Sequence, residues 1–144
     1  MAGRYRHTQR GTLMLIVMSI SAIGCAAIGY FGQSQLPWVL AAGAVVLAWL
    51  FSSLTVEVDE NEIRWHFGPG LWKYRLPRAE IAIVQATHGN WWTGVLNGYG
   101  IRMRPGYRLY NVSGLDAVEL RLKSGDVRRI GTDDPEGLAA ALKT

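Results

Sequence analysis

No Asp, Glu, Lys or Arg occurs between Gly11 and Val56, a run of 46 positions in a chain of 144. No acidic residue precedes Glu57 at all. A solvated helix or loop surface would carry charge over such a length. Lipid excludes it, because a charge at the bilayer centre costs several kcal/mol or more. Cysteine is nearly absent, and Cys25 alone can form neither an internal disulfide nor a cysteine metal cluster. Histidine is confined to His7, His66 and His88, with no pair at ligand or catalytic spacing and no glycine motif that cradles phosphate. Ser113-Gly114 and Ser124-Gly125 read as turns rather than nucleophile elbows. Asp133 and Asp134 read as helix-capping residues rather than metal ligands. These absences lead us to expect no enzyme, no metal site and no cofactor.

What fills the uncharged stretch is mostly apolar, broken once at Gly32-Gln33-Ser34-Gln35-Leu36-Pro37. The pattern predicts a helical hairpin in a membrane over residues 12–54. Its first span covers roughly Thr12 to Phe31 and its second Pro37 to Leu54, each close to the length that crosses a hydrocarbon core of about 30 Å. Pro37 suits a first helical turn. Tyr30, Trp38 and Trp49 lie near the span ends, where aromatic rings favour the headgroup level. Residues 1–11 form a basic tail with Arg4, Arg6 and Arg10, whereas the connecting loop is uncharged. The positive-inside bias therefore places both termini and the following domain in the cytosol, with the chain integral to an inner membrane. A lipoprotein signal is the competing pattern, since Ala22-Ile23-Gly24-Cys25 loosely fits it, but the apolar run continues to Phe31 without a polar tether. Ser21, Cys25 and Gly29 recur every four residues, as do Ala44 and Ala48. Small residues at that spacing allow close helix approach, either within one hairpin or between chains.

From Thr55 the period changes to two. Val56 and Val58, then Ile63, Trp65 and Phe67, then Trp72, Tyr74 and Leu76, alternate with polar residues. Val118, Leu120 and Leu122 repeat the pattern, and Ile101 and Met103 alternate with Arg102 and Arg104. Asp59-Glu60-Asn61-Glu62 and Gly68-Pro69-Gly70 are turns. Asp134 followed by Pro135 predicts a helix start, with Leu138, Ala141 and Leu142 on its apolar face. Residues 55–144 are thus an α+β domain of about seven antiparallel strands, in a barrel or sandwich, closed by a C-terminal helix.

This strand meander, the Gly68-Pro69-Gly70 turn, the segment Asn97-Gly98-Tyr99-Gly100-Ile101-Arg102, and Ile130-Gly131-Thr132-Asp133-Asp134-Pro135 before a helix together resemble bacterial pleckstrin-homology-like (bPH) domains. Small bacterial proteins with two spans and such a domain form a recognisable group. The resemblance implies a partly open seven-stranded barrel plugged by the C-terminal helix, and binding or assembly rather than catalysis.

Phosphoinositide-binding relatives in eukaryotes cluster Lys and Arg in the first interstrand loop. Here that loop is Asp59-Glu60-Asn61-Glu62, which repels phosphate. From Glu57 onward 12 basic residues face 11 acidic ones, so the domain is nearly neutral. No aromatic platform is coupled to a dense basic groove, and nucleic acid is not an expected partner. The candidate interaction residues are Trp91 and Trp92, adjacent on a turn, and Arg102, Arg104 and Arg108, among the basic residues that strand alternation places largely on the outer face of the sheet. The expected partners are the bilayer and either a second copy of the chain or another membrane protein; anionic lipid headgroups are the alternative.

Overall fold

Tyr5, His7 and Gln9 alternate with Arg6, Thr8 and Arg10, and this period-two stretch is itself a strand. The computed structural model describes residues 5–90 and 100–144. The strand β1 (Tyr5–Arg10) is followed by the helices α1 (Thr12–Gly32) and α2 (Leu36–Leu50). Next come β2 (Ser53–Val58), β3 (Glu62–Phe67), β4 (Lys73–Pro77), a 3-10 turn at Arg78–Glu80, and β5 (Ile81–Thr87). The chain ends in β6 (Gly100–Arg104), β7 (Tyr107–Asn111), β8 (Ala117–Leu122), β9 (Val127–Gly131) and α3 (Pro135–Lys143).

The expectation of a plain tail over residues 1–11 therefore needs correction. β1 pairs antiparallel with β2, from Tyr5 opposite Val58 to Arg10 opposite Ser53. The helical hairpin is an insertion between two neighbouring strands of one sheet, and the Gly11 amide donates to the Ser52 carbonyl at 2.8 Å where the helices meet the domain. Arg6 and Arg10, which suit a topogenic flank, are here also outward residues of a strand.

The two helices differ in length. With 21 residues, α1 measures about 31 Å at 1.5 Å per residue, and it is long and apolar enough to cross a membrane. Only 6% of its most apolar window is buried inside the protein, unlike a soluble core helix. α2 has 15 residues, about 22 Å, and falls short of a full span by itself. Two helices of full spanning length were expected; among the described residues one is long and apolar enough. The uncharged run misled because it continues past the helix: Phe51 caps α2, Ser53 opens β2, and Leu54 is fully buried in the domain core.

Between the helices, a Cβ on Gly29 would lie 2.7 Å from Trp38 Nε1, so this glycine admits the indole. Ala41 and Ala44 are buried and Cys25 is half-buried, whereas Ser21 is exposed and its hydroxyl donates to the Val17 carbonyl at 2.8 Å. Gly29 and Ala44 thus serve packing within one hairpin.

The domain is α+β, with two sheets of order β1-β2-β3-β4 and β5-β8-β9-β7-β6. The described residues hold nine strands rather than about seven, and β7 and β9 run parallel. Two packed sheets and a C-terminal helix are compatible with a pleckstrin-homology-like fold; the parallel pair departs from a simple meander. Leu54, Val56, Val58, Ile63, Trp65, Phe67 and Leu76 from the first sheet meet Tyr110, Val118, Leu120, Leu122 and Ile130 from the second, with Val112 just after β7. Leu138 and Leu142 of α3 complete this core. Asp134 caps α3, its carboxylate accepting from the Gly137 amide at 3.0 Å, and Pro135 stands in the first turn as the sequence predicts.

Contacts along β1 set the orientation of the second sheet. The Tyr5 hydroxyl donates to Asp134 at 3.0 Å, His7 meets Asp133, and Gln9 Nε2 donates to the Ser113 carbonyl at 2.6 Å. Moving along β1 toward α1, the partner changes from the segment after β9 to the segment after β7. The next strand in that direction is β6, so β6 is the sheet edge on the hairpin side. β5 lies at the opposite edge and packs against α3. There Arg78 donates to the carbonyls of Asp59 and Leu142, each at 3.1 Å.

Candidate interaction surfaces

Strand register separates the arginines that the sequence groups together. Arg102 lies opposite Leu109 and Arg104 opposite Tyr107, on the sheet face that also bears Arg129 and Glu119. Arg108 lies opposite Met103 and beside Arg128, on the other face. Arg102, Arg104 and Arg108 are all exposed, and Arg104 and Arg108, though on opposite faces, line one small pocket at the β6–β7 turn together with Arg128. Trp91 and Trp92 lie outside the described residues.

Several other basic side chains are committed to the domain's own charges. Glu119 is only 7% exposed and accepts from Arg121 Nε and Arg129 Nε, both at 2.9 Å. Burial alone would push its pKa up; the two guanidinium hydrogen bonds outweigh that and hold the carboxyl below its usual range. Arg129 also sits 4.6 Å from the centre of the Tyr107 ring. On the first sheet, Arg6, Glu57, Arg64 and Arg75 align across four strands, and Arg64 also pairs with Asp59 at 2.8 Å. An open cleft of about 390 Å³ lies here, lined by Glu57, Glu62, Arg64, His66, Lys73 and Arg75. Its alternating signs leave no concentrated charge for one class of ion. No group of three or more His, Cys, Asp or Glu side chains able to hold a metal occurs among the described residues.

His88, beside a loop in the sequence, joins three elements. Its ring nitrogens lie 3.3 Å from Asp116 and 3.3 Å from Glu136, so it ties the segment leaving β5 to the start of β8 and to α3. The hydrogen bonds to Glu136 and Asp116 raise its pKa. Burial, with the adjacent Asp134 carboxylate, likewise raises the pKa of the Tyr5 phenol.

Two surfaces stand out by composition. β5 contains no charged residue, is a sheet edge, and exposes Ile83 at 52%. It pairs with β8 along one side, with a register shift between Ile81 and Ile83. Edge strands normally carry charge that discourages further pairing, as Lys73 and Arg75 do on β4. The second surface is the Gly68–Trp72 turn, where Leu71 is 65% and Trp72 45% exposed. Sequence alternation placed Trp72 in the core with Tyr74. Instead it precedes β4 and stacks on Phe51, with ring centres 6.2 Å apart. The signal for β5 was legible as seven uncharged residues, but not its edge position; nothing in the sequence linked Trp72 to α2.

No family description, no curated protein and no solved structure matches this chain.

Proposed function

We propose that this chain is a membrane-anchored, non-enzymatic binding module whose pleckstrin-homology-like domain joins a protein partner at the cytosolic face of an inner membrane. The helical hairpin enters the bilayer, α1 as a full span and α2 as a short one, and the arginine-bearing flank keeps its base in the cytosol. The partner is a second copy or another membrane protein, added as a strand along β5. The observation that carries this reading is an uncharged edge strand with Ile83 exposed, on the side of the domain away from the hairpin. Strand addition draws its affinity from main-chain hydrogen bonds and its selectivity from alternate side chains such as Ile83. Confinement to a membrane raises effective concentration, so a weak contact suffices.

A photo-crosslinking side chain at Ile83 in native membranes tests this. A discrete protein adduct that disappears with Ile83→Lys on the same edge, labelled instead at Gln85, is expected. No adduct at either position contradicts it.

A second reading, docking on anionic headgroups, is favoured by the position of β6. This edge strand faces the hairpin side and carries exposed Arg102 and Arg104. Amide exchange of β6 in the full chain should then slow in anionic compared with neutral nanodiscs, and the difference should fade with salt. Equal exchange in both lipids would remove this reading.

A further inference from the structure

α2 ends about 9 Å short of the length of α1, yet apolar surface does not end with it. Phe51, at its C-cap, packs against Phe67 with ring centres 5.3 Å apart and stacks on Trp72. Gly68 lies tight under the helix end: a Cβ there would stand 2.5 Å from the Leu50 carbonyl oxygen and 2.8 Å from that of Trp49. Its φ of +43° turns the chain, and the Gly68 amide donates to Ser53 at 2.8 Å. The turn is thus held firmly against the hairpin base, while Leu71 is left largely in the open and Trp72 nearly half exposed.

From these contacts we infer that the Gly68–Trp72 turn is a third membrane-contacting element, with Leu71 and Trp72 seated in the headgroup-to-acyl boundary beside the C-terminal end of α2. This rests on the membrane reading of the hairpin. The occupant is the lipid interface because exposed apolar side chains gather here: Trp49 on the last turn of α2, and Leu71 and Trp72 on the turn that Phe51 at the C-cap stacks against. Aromatic side chains concentrate at that depth. The exposed cations Arg10 and Lys73 flank the same end of the domain, where phosphate groups would meet them. A short helix strains the bilayer unless it thins or neighbouring groups extend the apolar band. Leu71 and Trp72 supply that extension, and they fix the domain against the surface instead of leaving it to swing on a tether.

The test uses the full chain in lipid vesicles, with Cys25→Ala and one new cysteine carrying an environment-sensitive fluorophore. Leu71→Cys probes the turn, Ile20→Cys the middle of α1, and Glu60→Cys the far end of the domain. We expect blue-shifted emission at 71, quenched most by lipid brominated near the glycerol, quenching at 20 by deeply brominated lipid, and water-like emission at 60. Quenching at 20 with water-like emission at 71 overturns the inference and leaves the membrane reading intact. Absence of quenching at 20 overturns the membrane reading itself. A blue shift at 71 that no brominated lipid quenches also overturns the inference, since protein then covers the turn.

Discussion

The Gly11 amide donates to the Ser52 carbonyl across 2.8 Å, one step beyond the point where Arg10 pairs with Ser53. The helical hairpin consequently leaves the domain and returns to it at a single place, between adjacent strands. Removing it should not disturb the sheet. A chain in which Asn-Gly replaces residues 11–52 keeps the β1–β2 pairing, because such a two-residue turn matches the twist of antiparallel strands. We expect it to be soluble and folded. A fragment starting at Thr55 loses all of β1 with Gln9, and also Leu54; it should be less stable by at least about 3 kcal/mol, given about 1 kcal/mol net per lost hydrogen bond and the lost core side chain. Urea unfolding of the two chains decides, and equal midpoints would contradict the role of β1.

Gly29 and Gly24 face different surroundings on α1. A side chain at 29 would run into Trp38, whereas nothing lies within 4 Å of a Cβ at 24. Gly29→Leu should weaken the helix pair by about 1–3 kcal/mol, as overpacking does, and Gly24→Leu should leave it intact. Unfolding in mixed micelles measures both; equal effects would place the helix contact elsewhere.

Glu119→Gln removes the charge that orders Arg121 and Arg129. The expected loss at neutral pH is about 1–2 kcal/mol, below that of a fully buried pair because Arg121 is half exposed. Since the folded-state pKa of Glu119 is depressed, its contribution is complete above the unfolded pKa and disappears as pH falls through the folded value. The difference between wild type and variant should therefore close in acid. A difference that persists undiminished in acid would contradict the ion-pair origin.

His88 works in the opposite direction. Its pKa is raised in the folded state, so its contribution is complete below the unfolded value and is lost as pH rises through the folded one. His88→Gln should thus lower the melting temperature near pH 6 and converge with wild type in mildly alkaline buffer. A pH-independent offset would show that His88 acts by packing alone.

How far the fold could be read from sequence depended on what a local pattern encodes. Period two placed Ile63, Trp65 and Phe67, and Val118, Leu120 and Leu122, in the core, and all are buried. The Asp134-Pro135 start of the last helix is likewise a local signal, met by the Gly137 amide. Alternation gives the face of a strand but not its neighbour, so the parallel β7–β9 pair and the meeting of Arg104, Arg108 and Arg128 at one turn stayed hidden. β1 did show alternation at Tyr5, His7 and Gln9. Its arginines drew attention because they also fit a membrane flank, and one set of residues serves both purposes. The end of α2 was misjudged because Leu54 is equally apolar in lipid or in a protein core. Of the candidate site residues, exposure of the arginines was legible, whereas the β5 edge and the Trp72 stack on Phe51 depend on contacts between distant segments.

The proposed function rests on a hairpin, with α1 as a full span and α2 as a short one, that enters the membrane from a domain proposed to be cytosolic. Sidedness of single cysteines tests it most directly, using Cys25→Ala chains with Ser34→Cys in the helix connection or Glu60→Cys in the domain. A membrane-impermeant maleimide should label position 34 only from outside intact spheroplasts and position 60 only in inverted vesicles. Labelling of both positions from the same side would contradict the crossing, and with it the anchoring on which the proposed function depends.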